Sequence, residues 1–171
     1  MRLQENLLNR PINNTQTALS AAQFNQQYAA QCAVWQRSPL QIRPGQEMAY
    51  LELGNEEDFA AQAFLQTLQQ QGVSIKKYDG KPADLLVAVC FSNYKAFKGH
   101  INLSAAEQAA LSRAATTCKQ SVFVSFGSPF GTEKIAALQA RLFCFSPAEQ
   151  MQVCAAEILL GKQTANGKMP V

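Results

Sequence analysis

Short apolar runs of strand length alternate with amphipathic runs of helix length from Met48 to Phe145, and this alternation limits the fold more than any other feature. Met48–Leu53, Val73–Tyr78, Leu85–Cys90, Val122–Phe126 and Arg141–Phe145 read as strands. A helix is expected over Glu56–Gln71, where Phe59, Ala63, Phe64 and Leu68 recur at helical spacing and Gly72 supplies a C-terminal stop. A second is expected from Ser104 to Cys118, opened by a Ser104/Glu107 capping box, and a short one at Lys134–Leu138. Ser146, Pro147 and Glu149 read as N-cap, N1 and N3 of a closing helix that runs to Leu160 and stops at Gly161. Leu85–Cys90 is apolar at every position, which predicts a central strand covered on both faces and flanked by the strands at Met48 and Val122. Strands alternating with helices predict an α/β fold: a three-layer αβα sandwich with a mostly parallel sheet, flavodoxin-like or Rossmann-like.

Upstream of the alternation, Ser20 and Gln23 form another capping box and open a helix to about Gln31, with Phe24, Tyr28, Ala21 and Cys32 expected to face inward. Ala33–Trp35 reads as a short edge strand. Residues 1–18 are polar and irregular and read as a linker or arm from a missing N-terminal domain, leaving 19–171 as one domain. A chain of 171 residues, 47% hydrophobic, can bury one sizeable core but not two comfortable ones.

Several function classes are disfavoured. The net charge is +3, but the basic residues are scattered and the closest pair is Lys76-Lys77, unlike the clustered patch of a nucleic-acid binder. No apolar run reaches the roughly 18 residues of a membrane span, and Gln4, Glu5 and Asn6 interrupt any signal-peptide core. Cys32, Cys90, Cys118, Cys144 and Cys154 form no CxxC pair and accompany a single histidine, His100, so no zinc constellation exists; they read as free, buried, small hydrophobes.

Gly54-Asn55 stands where doubly wound folds bind phosphate, but Glu56, Glu57 and Asp58 follow and repel an anion from the helix start. Neither GxGxxG nor a P-loop is present, and no cofactor is implied. Ser125 lies in a strand-to-loop turn that is not GxSxG, and Gly127 and Pro129 account for its shape. Capping accounts for Glu56, Glu107 and Glu149 without catalysis, and the adjacent Glu56 and Glu57 diverge on a helix.

The stretch from Val122 to Phe130, Val-Phe-Val-Ser-Phe-Gly-Ser-Pro-Phe, resembles the strand and loop near the end of the C-terminal domain of family 3 glycoside hydrolases. Five further stretches resemble that family in the same order. They are Asn6–Pro11, Leu103-Ser104 with Glu107, Gln108 and Leu111, Phe145–Pro147 with Gln150, Ala155-Ala156 with Leu159–Gly161, and Gly167–Val171. The bacterial β-N-acetylhexosaminidase-like members are the most similar subgroup. The resemblance implies a nucleophilic aspartate, and in this subgroup a His–Asp acid/base pair, on a separate (β/α) barrel that this chain does not contain. In the glucosidase-like subgroup the second domain supplies a glutamate. The matching stretch here, Phe91–Gly99, has no acid. The implied role is an ancillary domain that supports a catalytic barrel and has no catalytic residue of its own. Its partners would be the barrel and carbohydrate. The alternative is an independent flavodoxin-like module binding a small ligand.

In an open α/β sheet the working edge lies at the carboxyl ends of the strands. Here these ends carry Gly54-Asn55, the loop after Cys90 with Asn93, Tyr94 and Lys95, and Ser128 with Phe130. Tyr94, Phe97 and Phe130 either fold back onto the core or stand exposed together as a patch for a barrel or a sugar ring. Asn93, Tyr94, Lys95, Ser128 and Phe130 are the candidate barrel- or substrate-facing residues, with Lys95 placed to reach a polar substrate group.

Overall fold

The computed structural model describes residues 20–54, 60–91 and 103–169; within the first helix the side chains of residues 21, 22 and 24–27 also lie outside the description. The described elements run α1 (Ala21–Cys32), β1 (Val34–Arg37), β2 (Glu47–Leu53), α2 (Gln62–Gln70), β3 (Ser74–Lys77), β4 (Leu85–Cys90), α3 (Ala105–Thr117), β5 (Gln120–Ser125), β6 (Ala140–Phe143) and α4 (Glu149–Leu159). The strands form one sheet in the order β1-β6-β5-β4-β2-β3. Every neighbouring pair is parallel except β1 with β6, which run antiparallel with Val34 opposite Phe143. The five parallel strands, taken in chain order, are arranged 2-1-3-4-5, the flavodoxin-like order. The three-layer α/β reading is borne out.

The central strand is where its composition placed it. β4 pairs with β2 (Val87 opposite Tyr50) and with β5 (Val87 opposite Val122), and all six of its residues are buried. Val87 and Val89 face the core beneath α1, α2 and α4, together with Phe64, Leu68, Ala155 and Leu159. Leu86 and Ala88 face the other core, with Leu111, Ala114 and Ala115 of α3. A strand packed on both faces has no polar side to show, hence its unbroken apolar sequence.

The second face carries one described helix. Beside α3, in the place of a β5-to-β6 crossover helix, lies an irregular segment whose Ile135 and Leu138 enter the core. The short helix expected at Lys134–Leu138 is instead two successive turns, closed by Ile135 N–H to Thr132 O and Leu138 N–H to Ile135 O. Side chains satisfy this backbone in place of a helical ladder, as described below.

Three other expectations change. Helix α2 starts at Gln62, not Glu56; residues 55–59 lie outside the described residues. Its start is organised by Gln152 of α4, which donates to Ala60 O and accepts from Phe64 N. Helix α4 starts after Ala148, two residues beyond the expected cap, because Ser146 Oγ accepts from Ala148 N in a local turn. Tyr28 and Cys32 are exposed, against expectation, and Ala29 is the buried residue of α1 among those described. The Phe24 and Ala21 side chains lie outside the described residues.

The capping boxes at Ser20/Gln23 and Ser104/Glu107 are both formed. All five cysteines are free, and Cys90, Cys118, Cys144 and Cys154 are buried. Among the described residues no helix is long and apolar enough to cross a membrane.

Candidate functional site

The carboxyl ends of the parallel strands gather on one rim. The switch point falls between β2 and β4, where the chain order reverses, so this rim includes the crevice in which open sheets bind ligands. At the end of β2, Gly54 takes a left-handed backbone with φ 63°, and its N–H donates to Glu107 Oε1 at 2.8 Å. Glu107 Oε2 accepts from the Ser104 N–H and hydroxyl at 2.9 and 2.7 Å. One carboxylate therefore caps α3 and ties it to the switch point. Sequence reading found the cap but not the reach to Gly54, a long-range contact that no local pattern signals.

At the end of β5 the rim is built from aromatic and hydroxyl groups. Phe126 is fully buried; it stacks on Phe91 at 5.3 Å between centroids and meets Phe64 edge-on at 5.8 Å. Ser125 Oγ donates to Ser128 O at 2.7 Å and accepts from Gly127 N at 3.3 Å. This hydroxyl is buried and committed to its turn, as the plain turn reading of the sequence expects. Ser128 Oγ accepts from Phe130 N at 3.3 Å. Phe130 itself projects with 52% of its surface exposed. At the end of β6, Phe145 adopts φ 60°, is 38% exposed and lies 6.5 Å from Phe143. A left-handed phenylalanine is uncommon and costs about 1–3 kcal/mol. The strand expected over Arg141–Phe145 ends at Phe143, and the exposure of Phe145 has no sequence signal.

Of the sequence-named candidates, Ser128 and Phe130 therefore lie side by side on the rim. Asn93, Tyr94 and Lys95 lie outside the described residues, as do Phe97 and His100.

Two open clefts flank α4. One of about 340 Å³ is polar and lined by Ala60, Gln62, Ala63, Gln66, Glu149 and Gln152. The other, of about 250 Å³, includes Tyr28, Cys32 and Met151. Among the described residues each presents at most one carboxylate, where paired acid chemistry needs two. Among the described residues no group of three or more His, Cys, Asp or Glu is arranged to hold a metal.

The segment after Phe130 is held by two arginines. Arg141 of β6 is only 1% exposed. Its Nε donates to Thr132 Oγ1 at 3.2 Å, and its Nη2 to Thr132 O at 2.7 Å and Ile135 O at 2.9 Å. Burial lowers its pKa, the Arg37 charge adds to that effect, and Glu133 opposes it. Arg37 of β1 donates to Ala136 O and Leu138 O. Ser121 Oγ donates to Ala137 O at 3.2 Å. An arginine inside the apolar run Ala140–Phe145 is the one sequence signal that could have marked this arrangement, since a buried cation needs partners.

No protein-family model matches the chain, and no curated protein does. Solved structures do. The β-glucoside phosphorylase BglX superposes with a TM-score of 0.66 at 14% identity, over 84% of this chain and 30% of that one. A glycoside hydrolase family 3 β-N-acetylglucosaminidase from Paenibacillus sp. str. FPU-7 gives 0.62 at 12% identity, over 93% of this chain and 34% of that one. A β-glucosidase from Listeria innocua gives 0.61 at 16% identity, over 93% and 28%. The chain spans about a third or less of the structures it matches. It has the fold of the C-terminal α/β sandwich domain of family 3 glycoside hydrolases, and the resemblance read from its motifs is borne out at that level.

Proposed function

We propose that the chain is the ancillary C-terminal domain of a family 3 β-glycosidase, of the β-N-acetylhexosaminidase-like type, and that it supports a catalytic barrel it does not contain. The observation that carries this reading is the pattern of coverage: 84–93% of this chain superposes on about a third of each of the three enzymes named above. The remaining length of those enzymes leaves room for a catalytic domain. The ordered family-like motifs support the same reading. Residues 1–18 are then the arm from the barrel, and 19–171 the sandwich.

The rim at the strand ends is the docking face in this proposal. Ser128 and Phe130 contribute to it; Asn93, Tyr94 and Lys95, which the sequence assigns to the same face, lie outside the described residues. An exposed aromatic on an ordered turn suits a barrel surface or the face of a sugar ring. Against the rival flavin- or nucleotide-binding reading stands Glu107, whose carboxylate already occupies the Gly54 N–H where a phosphate would sit.

The test is enzymatic. The purified chain is expected to leave aryl β-N-acetylglucosaminides and aryl β-glucosides intact, and to bind a family 3 barrel from the same genome. Steady turnover by the chain alone, abolished by a substitution within it, overturns the proposal.

A further inference from the structure

Residues 126–139 join two parallel strands without a helix, and such irregular segments ordinarily fluctuate. This one is gripped from beneath. Arg141 and Arg37, on strands paired with each other, together donate five hydrogen bonds to four carbonyls and one hydroxyl between Thr132 and Leu138. Hydrogen bonds from a charged donor are about twice as strong as neutral ones. Thr132, Ile135 and Leu138 are buried on the inner side of the segment. Among the described residues no carboxylate forms an ion pair with Arg141. A buried guanidinium without a carboxylate is an expensive way to fill a core, and its cost here is offset by the backbone it holds. Arg37 makes its bonds from a left-handed backbone, φ 69°, itself unfavourable for arginine. None of these bonds reaches Phe130, whose ring stays exposed immediately before the gripped stretch.

We propose that Arg141 and Arg37 are positioning residues: they lock the Thr132–Leu138 turns in one conformation and thereby present Phe130 as a rigid contact for the barrel. The inference rests on the docking reading above and adds to it the groups that pre-order the contact. A pre-ordered aromatic loses little freedom on binding, so more of its contact energy appears as affinity.

The experiment is a double-mutant cycle between Arg141→Met and Phe130→Ala, read by titration calorimetry against the family 3 barrel, with amide hydrogen exchange over residues 126–139. Arg141→Met is expected to weaken barrel binding about tenfold in the parent chain but to have little further effect in the Phe130→Ala chain. Arg141→Lys, which keeps the charge and some donors, is expected to recover part of the loss. If Arg141→Met fails to fold, Arg37→Met, at an exposed residue, carries the same expectations. Reduced thermal stability with unchanged barrel affinity overturns the inference, because the arginines are then structural only. If the parent chain binds no barrel, the docking reading fails by itself. Exchange then decides the grip: protection of residues 132–138 that survives Arg141→Met overturns it.

Discussion

Replacing Gly167 with alanine should unfasten the C-terminal tail. The tail crosses the junction of α1 and β1, where Asn166 N donates to Ala30 O and Gly167 N to Ala33 O, both at 2.9 Å. These bonds satisfy carbonyls that the end of α1 leaves without helical partners. Ala165 packs on one core and Met169 on the other, so the tail bridges the two faces of the sheet. A methyl on Gly167 would meet Ala33 O at 2.7 Å, Cys32 O at 2.8 Å and Val34 Cγ2 at 2.8 Å. Two of these neighbours are backbone atoms with little room to retreat. Overpacking of this kind costs about 1–3 kcal/mol, and lifting the tail to relieve it forfeits two hydrogen bonds worth about 1 kcal/mol each. A loss of about 2 kcal/mol follows by either route, which for a chain of this size lowers Tm by about 4–8 °C. Circular dichroism melts of Gly167→Ala beside the exposed Lys168→Ala measure it, with Lys168→Ala expected near the parent. A Gly167→Ala chain that melts with the parent would refute the close-approach argument.

Other expectations follow from burial and charge. Val87→Asp places an unpaired carboxylate at a position of 0% exposure in the central strand; a cost of several kcal/mol against a total of about 5–15 should leave no cooperative melt. Ellman's reagent should titrate Cys32 rapidly in the native chain and all five thiols only after denaturation, since the other four are buried. Burial pushes the Cys154 thiol from its ordinary 9.0 up to about 11, with Glu157 and Cys32 adding to the effect. The folded state therefore holds that proton more tightly than the unfolded state does. Its contribution to stability is complete below about pH 9 and falls as pH rises toward 11, which urea midpoints across that range should show. Glu107→Ala removes the reciprocal cap of α3 and the tie to Gly54, and should cost about 1–3 kcal/mol in urea unfolding.

What could be read from the sequence was what local chemistry decides. The unbroken apolar run Leu85–Cys90 declared a strand buried on both faces, and Ser104 with Glu107 declared a helix start. What escaped depends on partners distant in sequence. The start of α2 is set by Gln152, 88 positions from Phe64. The Lys134–Leu138 turns replace a helix because arginines on β1 and β6 take carbonyls that a helical ladder would otherwise use. Phe145 leaves its strand through a left-handed backbone for which phenylalanine gives no hint. The position of Ser128 and Phe130 at a strand end was legible because a Gly-Ser-Pro turn follows β5. Arg141 stood out only as a charge inside an apolar run and Arg37 not at all, because their role lies in the carbonyls they hold.

The most direct test of the central claim is association. Sedimentation equilibrium of the chain mixed with a family 3 barrel from the same genome, at concentrations up to about 0.1 mM, detects an interaction worth about 5 kcal/mol. The account predicts a one-to-one complex, weakened by Phe130→Ala, and no thermal shift of the chain with FMN or nucleotides. No complex at any concentration, together with a clear rise in Tm on adding FMN, would contradict it and identify an independent ligand-binding module instead.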